Sequence, residues 1–154
     1  MLEISIPNRF RKLISIPALE KAAEATLKAC QRPVADRIAL RISTNRVLQD
    51  FNKRFRGMDE VTDVLSFENE YDDPEDGSHM LGDILISLEK AEEQSILVGH
   101  TLEQELEMLL VHGVLHLCGY DHSEKDDYAK MTGLQDQILS SLGNPLQKSI
   151  YEID

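Results

Sequence analysis

The chain reads as an α+β protein, and three observations carry that reading. Apolar residues alternate with polar ones at Leu2, Ile4, Ile6 and again at Ile38, Leu40, Ile42. A short continuous apolar run follows at Ile84-Leu85-Ile86. Beyond it the apolar spacing turns helical and culminates in Met108–Leu117, apolar nearly all round.

Each element has a local reason. Leu2, Ile4 and Ile6 have the period of a half-buried strand. Pro17 suits the first turn of a helix carrying Leu19, Ala22, Ala23, Thr26 and Leu27 on one face. Ile38, Leu40 and Ile42 make a second strand. Ser43 or Thr44 then caps a helix with the stripe Val47, Leu48, Phe51, stopped by Gly57. Val61 to Phe67 is rich in strand formers. Glu68 to Ser78 is acidic, contains Pro74 and Gly77, and reads as a mobile loop. Ile84-Leu85-Ile86 suits a strand covered on both faces. Ser87 caps a helix through Leu88, Ala91 and Ile96, ending near Gly99. Thr101 and Gln104 have capping-box spacing and open the central, buried helix, which Gly119 ends. Ser123 caps a last helix striped by Met131, Leu134, Ile138 and Leu142, closed by Gly143 and Pro145. No repeat, low-complexity tract or domain boundary interrupts the 154 residues, which read as one domain over 1–154.

Composition excludes several classes. With 42% apolar and 29% charged residues the profile is globular. Two cysteines, Cys30 and Cys118, make no disulfide framework. No apolar run has membrane-spanning length, and Asn8, Arg9, Arg11 and Lys12 interrupt any signal-peptide core, so a cytoplasmic protein is expected. The net charge of −12 argues against nucleic acid at first sight. It is unevenly spread: residues 1–56 hold 12 basic and 5 acidic residues, a charge of +7, and residues 57–154 hold 4 and 23, a charge of −19. A polyanion responds to potential within a Debye length of about 8–10 Å. Arg46, Lys53, Arg54 and Arg56 are therefore read either as a solvated helix face or as a basic strip that meets phosphates.

Three of the five histidines lie within one short segment, as His112-x3-His116-x2-Gly119-x2-His122. His112 and His116 differ in direction by only about 40° around a helix axis, so both imidazoles can reach one ion. A left-handed backbone at Gly119 can turn His122 back toward them. Imidazoles buried without partners cost a few kcal/mol. The pattern points to a zinc-type site with three neutral ligands and an open position, the catalytic arrangement. Cys118 lies about 200° around the helix from His116 and should point away. Asp121 can bind the metal or orient a histidine. The position beside the first histidine that carries glutamate in His-Glu-x-x-His peptidases is Gly113, so amide hydrolysis is poorly supported. Glycine costs about 1 kcal/mol in a helix, and its missing side chain admits either a substrate or a neighbouring strand.

The segment His112-Gly113-Val114-Leu115-His116-Leu117-Cys118-Gly119-Tyr120-Asp121-His122 resembles the H-G-x-L-H-L-x-G-Y-D-H signature of the YbeY-type rRNA maturation factors, bacterial zinc-dependent endoribonucleases. Upstream, Asn52-Lys53-Arg54-Phe55-Arg56-Gly57-Met58-Asp59 resembles N-x-x-[YF]-R-G-x-D, Thr62-Asp63-Val64-Leu65-Ser66-Phe67 resembles T-[DN]-V-L-S-F, and Leu81-Gly82-Asp83-Ile84 resembles L-G-D-[IL]. The chain departs at Val61 and Glu68, where the family often has proline.

The resemblance implies a small mixed sheet packed against helices, with one zinc ion per chain on His112, His116 and His122. It implies Arg56 as the catalytic arginine. It implies single-stranded rRNA as substrate, in 16S rRNA 3′-end maturation and ribosome quality control, with the small ribosomal subunit and its proteins as partners and neither membrane nor DNA. Arg46, Lys53 and Arg54 would then guide the RNA strand. The nucleophile is left open between a metal-bound hydroxide and the RNA 2′-hydroxyl. Two rival readings are a metallohydrolase for peptides or small molecules, and a ribosome-assembly protein with structural zinc.

Overall fold

A computed structural model of the chain describes residues 1–121 and 124–144. The strands are β1 (Leu2–Ser5), β2 (Arg37–Ser43), β3 (Val64–Asp72) and β4 (His79–Ser87). The helices are α1 (Ile16–Ala29), α2 (Asn45–Arg56), α3 (Leu88–Val98), α4 (Leu102–Leu117) and α5 (Lys125–Ser141), with a 3-10 turn over Asn8–Leu13. The strands form one sheet in the order β1-β2-β4-β3. β2 is parallel to both β1 and β4, and β3 runs antiparallel to β4. The sheet is mixed, and the α+β class holds.

The register sorts residues between the two faces. Ile4, Leu40, Ile84 and Ser66 form one row across the strands; Ser5, Arg41, Leu85 and Leu65 form a neighbouring row on the opposite face. The first face takes α4, which packs on β3 and β4 with α1, α3 and α5 around it. Its side chains merge into the main core, including Leu19, Ile38, Leu40, Ile84, Ile86, Leu109 and Val114. Among the described residues the helix on the opposite face is α2, whose Leu48 buries against Leu65 and Leu85. Caps form where expected: Thr44 Oγ1 accepts from Val47 N at 3.4 Å, Ser87 Oγ from Lys90 N at 3.1 Å, and Thr101 and Gln104 complete the capping box.

Two expectations are corrected. Glu68–Ser78 is not a loop throughout, because β3 runs on to Asp72 and β4 begins at His79. Its distal half is exposed on both faces, so no alternation marks it. Backbone pairing and ion pairs hold it instead. Glu70 reaches Arg32 at 3.0 Å, His79 Nδ1 meets Asp72 at 2.8 Å, and Asp73 meets Arg37 at 3.3 Å. Ile96 does not share the buried face of α3; it is 76% exposed, while Gln94 and Ser95 are buried. Ile96 lies about 140° around the helix from Ala91, whereas Ser95 lies about 40° away. Ser123 and Pro145 lie outside the described residues, and the residue preceding α5 is Glu124.

His79 is held above the usual imidazole range by its hydrogen bond to Asp72. A raised folded-state value means that this tether is fully present below the unfolded value and is lost as pH rises through the folded one. Amide protection factors in the 73–78 turn should therefore fall as the medium passes from mildly acidic to mildly alkaline. In His79→Gln that fall should vanish.

Candidate functional site

The site begins with the placement of α4. A helix this apolar must be covered on all sides, and the sheet provides its floor. At Gly113 the helix seats closely on that floor. A Cβ there would stand 3.0 Å from Ile84 Cγ2 and 3.2 Å from Ser66 Oγ. Ser66 Oγ also donates to Gly113 O at 3.1 Å. The open choice between substrate and strand is thus decided for the strand. After Leu117 the helix ends at Cys118, and Gly119 takes φ +99°, the left-handed turn expected of it.

His112 and His116 point the same way from α4. Their Nε2 atoms are 3.2 Å apart and their rings meet edge to face at 4.7 Å. Two imidazole nitrogens on a tetrahedral zinc stand roughly 3.3 Å apart, so this pair fits such an ion. His112 is buried, and its Nδ1 lies 3.0 Å from Oε1 of Gln135, a buried residue of α5. An amide oxygen accepts, so Nδ1 carries the proton and Nε2 keeps its lone pair for the cleft. His122 lies outside the described residues, and among those no third His, Cys, Asp or Glu completes a metal-holding group.

The two imidazoles open into a cleft of about 590 Å³. Arg56, Thr62, Asp63, Ser66, Glu68, Tyr120 and Asp121 also line it. Arg56 is the last residue of α2, and its Nη2 donates to Ser66 O at 3.3 Å on the free edge of β3. Buried Asn52 fixes the chain beyond it, its Nδ2 donating to Glu60 O at 3.0 Å. Cys118 packs instead beside Cys30, away from the cleft, as the helix geometry requires.

The basic strip divides. Of its four residues only Arg56 borders the cleft. Arg46 is exposed in the first turn of α2, Lys53 stands 3.9 Å from Asp59, and Arg54 lies over the Phe51 ring at 5.9 Å. Asp121 borders the cleft and is exposed.

A model of the family described as endoribonuclease YbeY matches residues 5–143. The chain belongs to the endoribonuclease YbeY family. The match runs from the end of β1 to just past α5, so it includes every element that shapes the cleft. The endoribonuclease YbeY of Dehalococcoides mccartyi is 37% identical, over 95% of this chain and 92% of that protein. That of Listeria innocua is 44% identical, over 69% and 73%. That of Staphylococcus saprophyticus is 47% identical, over 62% and 65%. A solution structure from Thermotoga maritima aligns over all of both chains at 25% identity with a TM-score of 0.59.

Three functional candidates escaped the sequence reading: Gln135, Asp63 and Glu68. Gln135 had a signal, since it is a polar residue on the apolar face of Met131 and Ile138. Asp63 stands inside a family block whose pattern by itself assigns it no role. Glu68 sits in the acidic segment whose composition suggests a loop, where no alternation marks a strand.

If Gln135 fixes the His112 tautomer, two-bond nitrogen–proton NMR of labelled protein should show His112 protonated at Nδ1. Gln135→Leu should mix the tautomers while α4 keeps its helical signals.

Proposed function

We propose that this protein is a zinc-dependent endoribonuclease for single-stranded RNA that acts in 16S rRNA 3′-end maturation and ribosome quality control on the small ribosomal subunit. The reading rests on the convergence of two Nε2 atoms at 3.2 Å in the cleft that Arg56 borders, in a chain of this family. Charge supports a cation there. Asp63, Glu68 and Asp121 line the cleft against one arginine, a balance that repels phosphate unless a metal offsets it. His112, His116 and His122 would hold the zinc. When bound, that ion supplies Lewis-acid charge for a phosphoryl oxygen and acidifies water.

The chain's own groups do the rest. Arg56 presents guanidinium N–H donors to the phosphodiester and offsets charge that grows as the P–O bond breaks. Its bond to Ser66 O and the last turn of α2 aim it, so little reorganisation is needed. Gln135 holds His112 with its Nε2 lone pair outward. The cleft carboxylates can take the proton that the nucleophile gives up, whichever nucleophile attacks. Nearby positive charge from α2 favours the approach of the RNA backbone, in a manner that salt weakens.

His116→Ala should reduce zinc well below one per chain by elemental analysis; full retention would remove the ligand assignment. Arg56→Ala should keep its zinc and lose about 10²-fold in cleavage rate of single-stranded RNA. Gln135→Leu should weaken zinc about 10–100-fold in a chelator competition.

A further inference from the structure

Among the described residues, the face of the sheet opposite α4 is covered by a helix over one half: α2 lies over β3 and β4, and no described helix lies on the β1–β2 half. A second cleft of about 740 Å³ opens there. At its α2 side three phenylalanines pack together. Phe51 and Phe55 stack at 5.6 Å, and Phe67 meets Phe55 at 5.5 Å, near edge-on. Phe55 is 59% exposed, costly for a ring this large if it has no further task.

Guanidinium groups surround the rings. Arg41 and Arg54 lie over Phe51 at 6.0 and 5.9 Å, and Arg56 lies over Phe67 at 5.9 Å. Among the described residues none of these three arginines is held in an ion pair with a carboxylate. An exposed aromatic ring, Phe55, backed by two half-buried ones and flanked by arginines is the chemistry that takes a single strand: a base stacks on the ring while phosphates meet the cations.

The cluster is also continuous with the reaction cleft. Ser66 and Phe67 are successive residues of the free edge strand, so they face opposite sides of the sheet. Arg56 reaches round that edge, bonding Ser66 O on its way to the Phe67 ring. A strand leaving the reaction cleft past Arg56 meets Phe67 and Phe55 next. Phe67, Asp83, Ala39 and Glu3 form one row across this face, so a carboxylate stands directly beside Phe67 and a second, paired with Arg37, ends the row; phosphates are thereby kept to the α2 side, where Arg41 and Arg54 lie over Phe51.

We infer that Phe55, Phe51 and Phe67, with Arg41 and Arg54, form a stacking subsite for single-stranded RNA that continues from the reaction cleft. The inference rests on the reading that the cleft cleaves RNA, and the experiment separates the two. The chain contains no tryptophan, so Phe55→Trp installs a single reporter. In a His116→Ala background, which holds the RNA uncut, an oligouridylate should quench that tryptophan. Phe55→Ala should bind the same oligomer about ten-fold more weakly by anisotropy, with an unchanged melting temperature. Phe55→Tyr should restore the binding. Binding equal to wild type in Phe55→Ala, with no quenching in Phe55→Trp, would overturn the subsite even if the protein cuts RNA. Quenching by rising protein concentration alone, or by a basic peptide and not by RNA, would overturn it too, in favour of a protein on this face. Quenching of Phe55→Trp by RNA, beside a wild-type chain that never cleaves that RNA, would sustain the subsite and sink the nuclease.

Discussion

The structure depends on covering α4. Leu106, Met108, Leu109, Leu110, Val111, Val114 and Leu115 are buried on every side of that helix, so no single partner suffices. β3 and β4 supply a floor, and α1, α3 and α5 supply walls. Each fully buried aliphatic side chain contributes about 1.5–3 kcal/mol, so seven on one helix make a large contribution to stability. The same enclosure positions the chemistry. Two imidazoles on a helix held from all sides have little freedom, and their separation follows from helical periodicity and ring rotamers.

Electrostatics divides the molecule in a way its total charge conceals. The basic surplus belongs to residues 1–56, and the last turn of α2 brings part of it to the free edge of β3. The acidic surplus belongs to the remainder and supplies the cleft carboxylates. The cleft is therefore a meeting of opposite fields. A metal would join the arginine in offsetting the acids, and the resulting site would be selective for an anion threaded between them rather than for any polyanion. Bulk RNA far from the cleft meets mostly repulsion.

Legibility in sequence followed the range of the interactions involved. β1, β2 and the core of β4 announce themselves by local alternation or by an apolar run. The pair His112 and His116 follows from the helical period alone. The distal half of β3 did not announce itself, because Glu68, Asn69, Glu70, Tyr71 and Asp72 are exposed and their pairing comes from β4 and from Arg32, Arg37 and His79. Ile96 misled because one apolar residue at the end of a short stripe fixes no face. Gln135 was missed because its partner lies 23 positions away, and only the packing of α5 on α4 joins them. The division of the basic strip was equally hidden, since it depends on which residues of α2 reach round the edge of a strand.

The contact at Gly113 has a chemical consequence. A His-Glu-x-x-His peptidase needs a carboxylate at this place, and the spacing of the histidines would otherwise suit one. Ile84 and Ser66 occupy the space where that side chain would begin. A side chain there would need Ile84 and Ser66 to give way by a few tenths of an ångström at its first carbon, and its direction from α4 is into the sheet rather than into the cleft. The close seat of one helix on one strand thus favours reactions in which the base comes from elsewhere in the cleft or from the substrate itself.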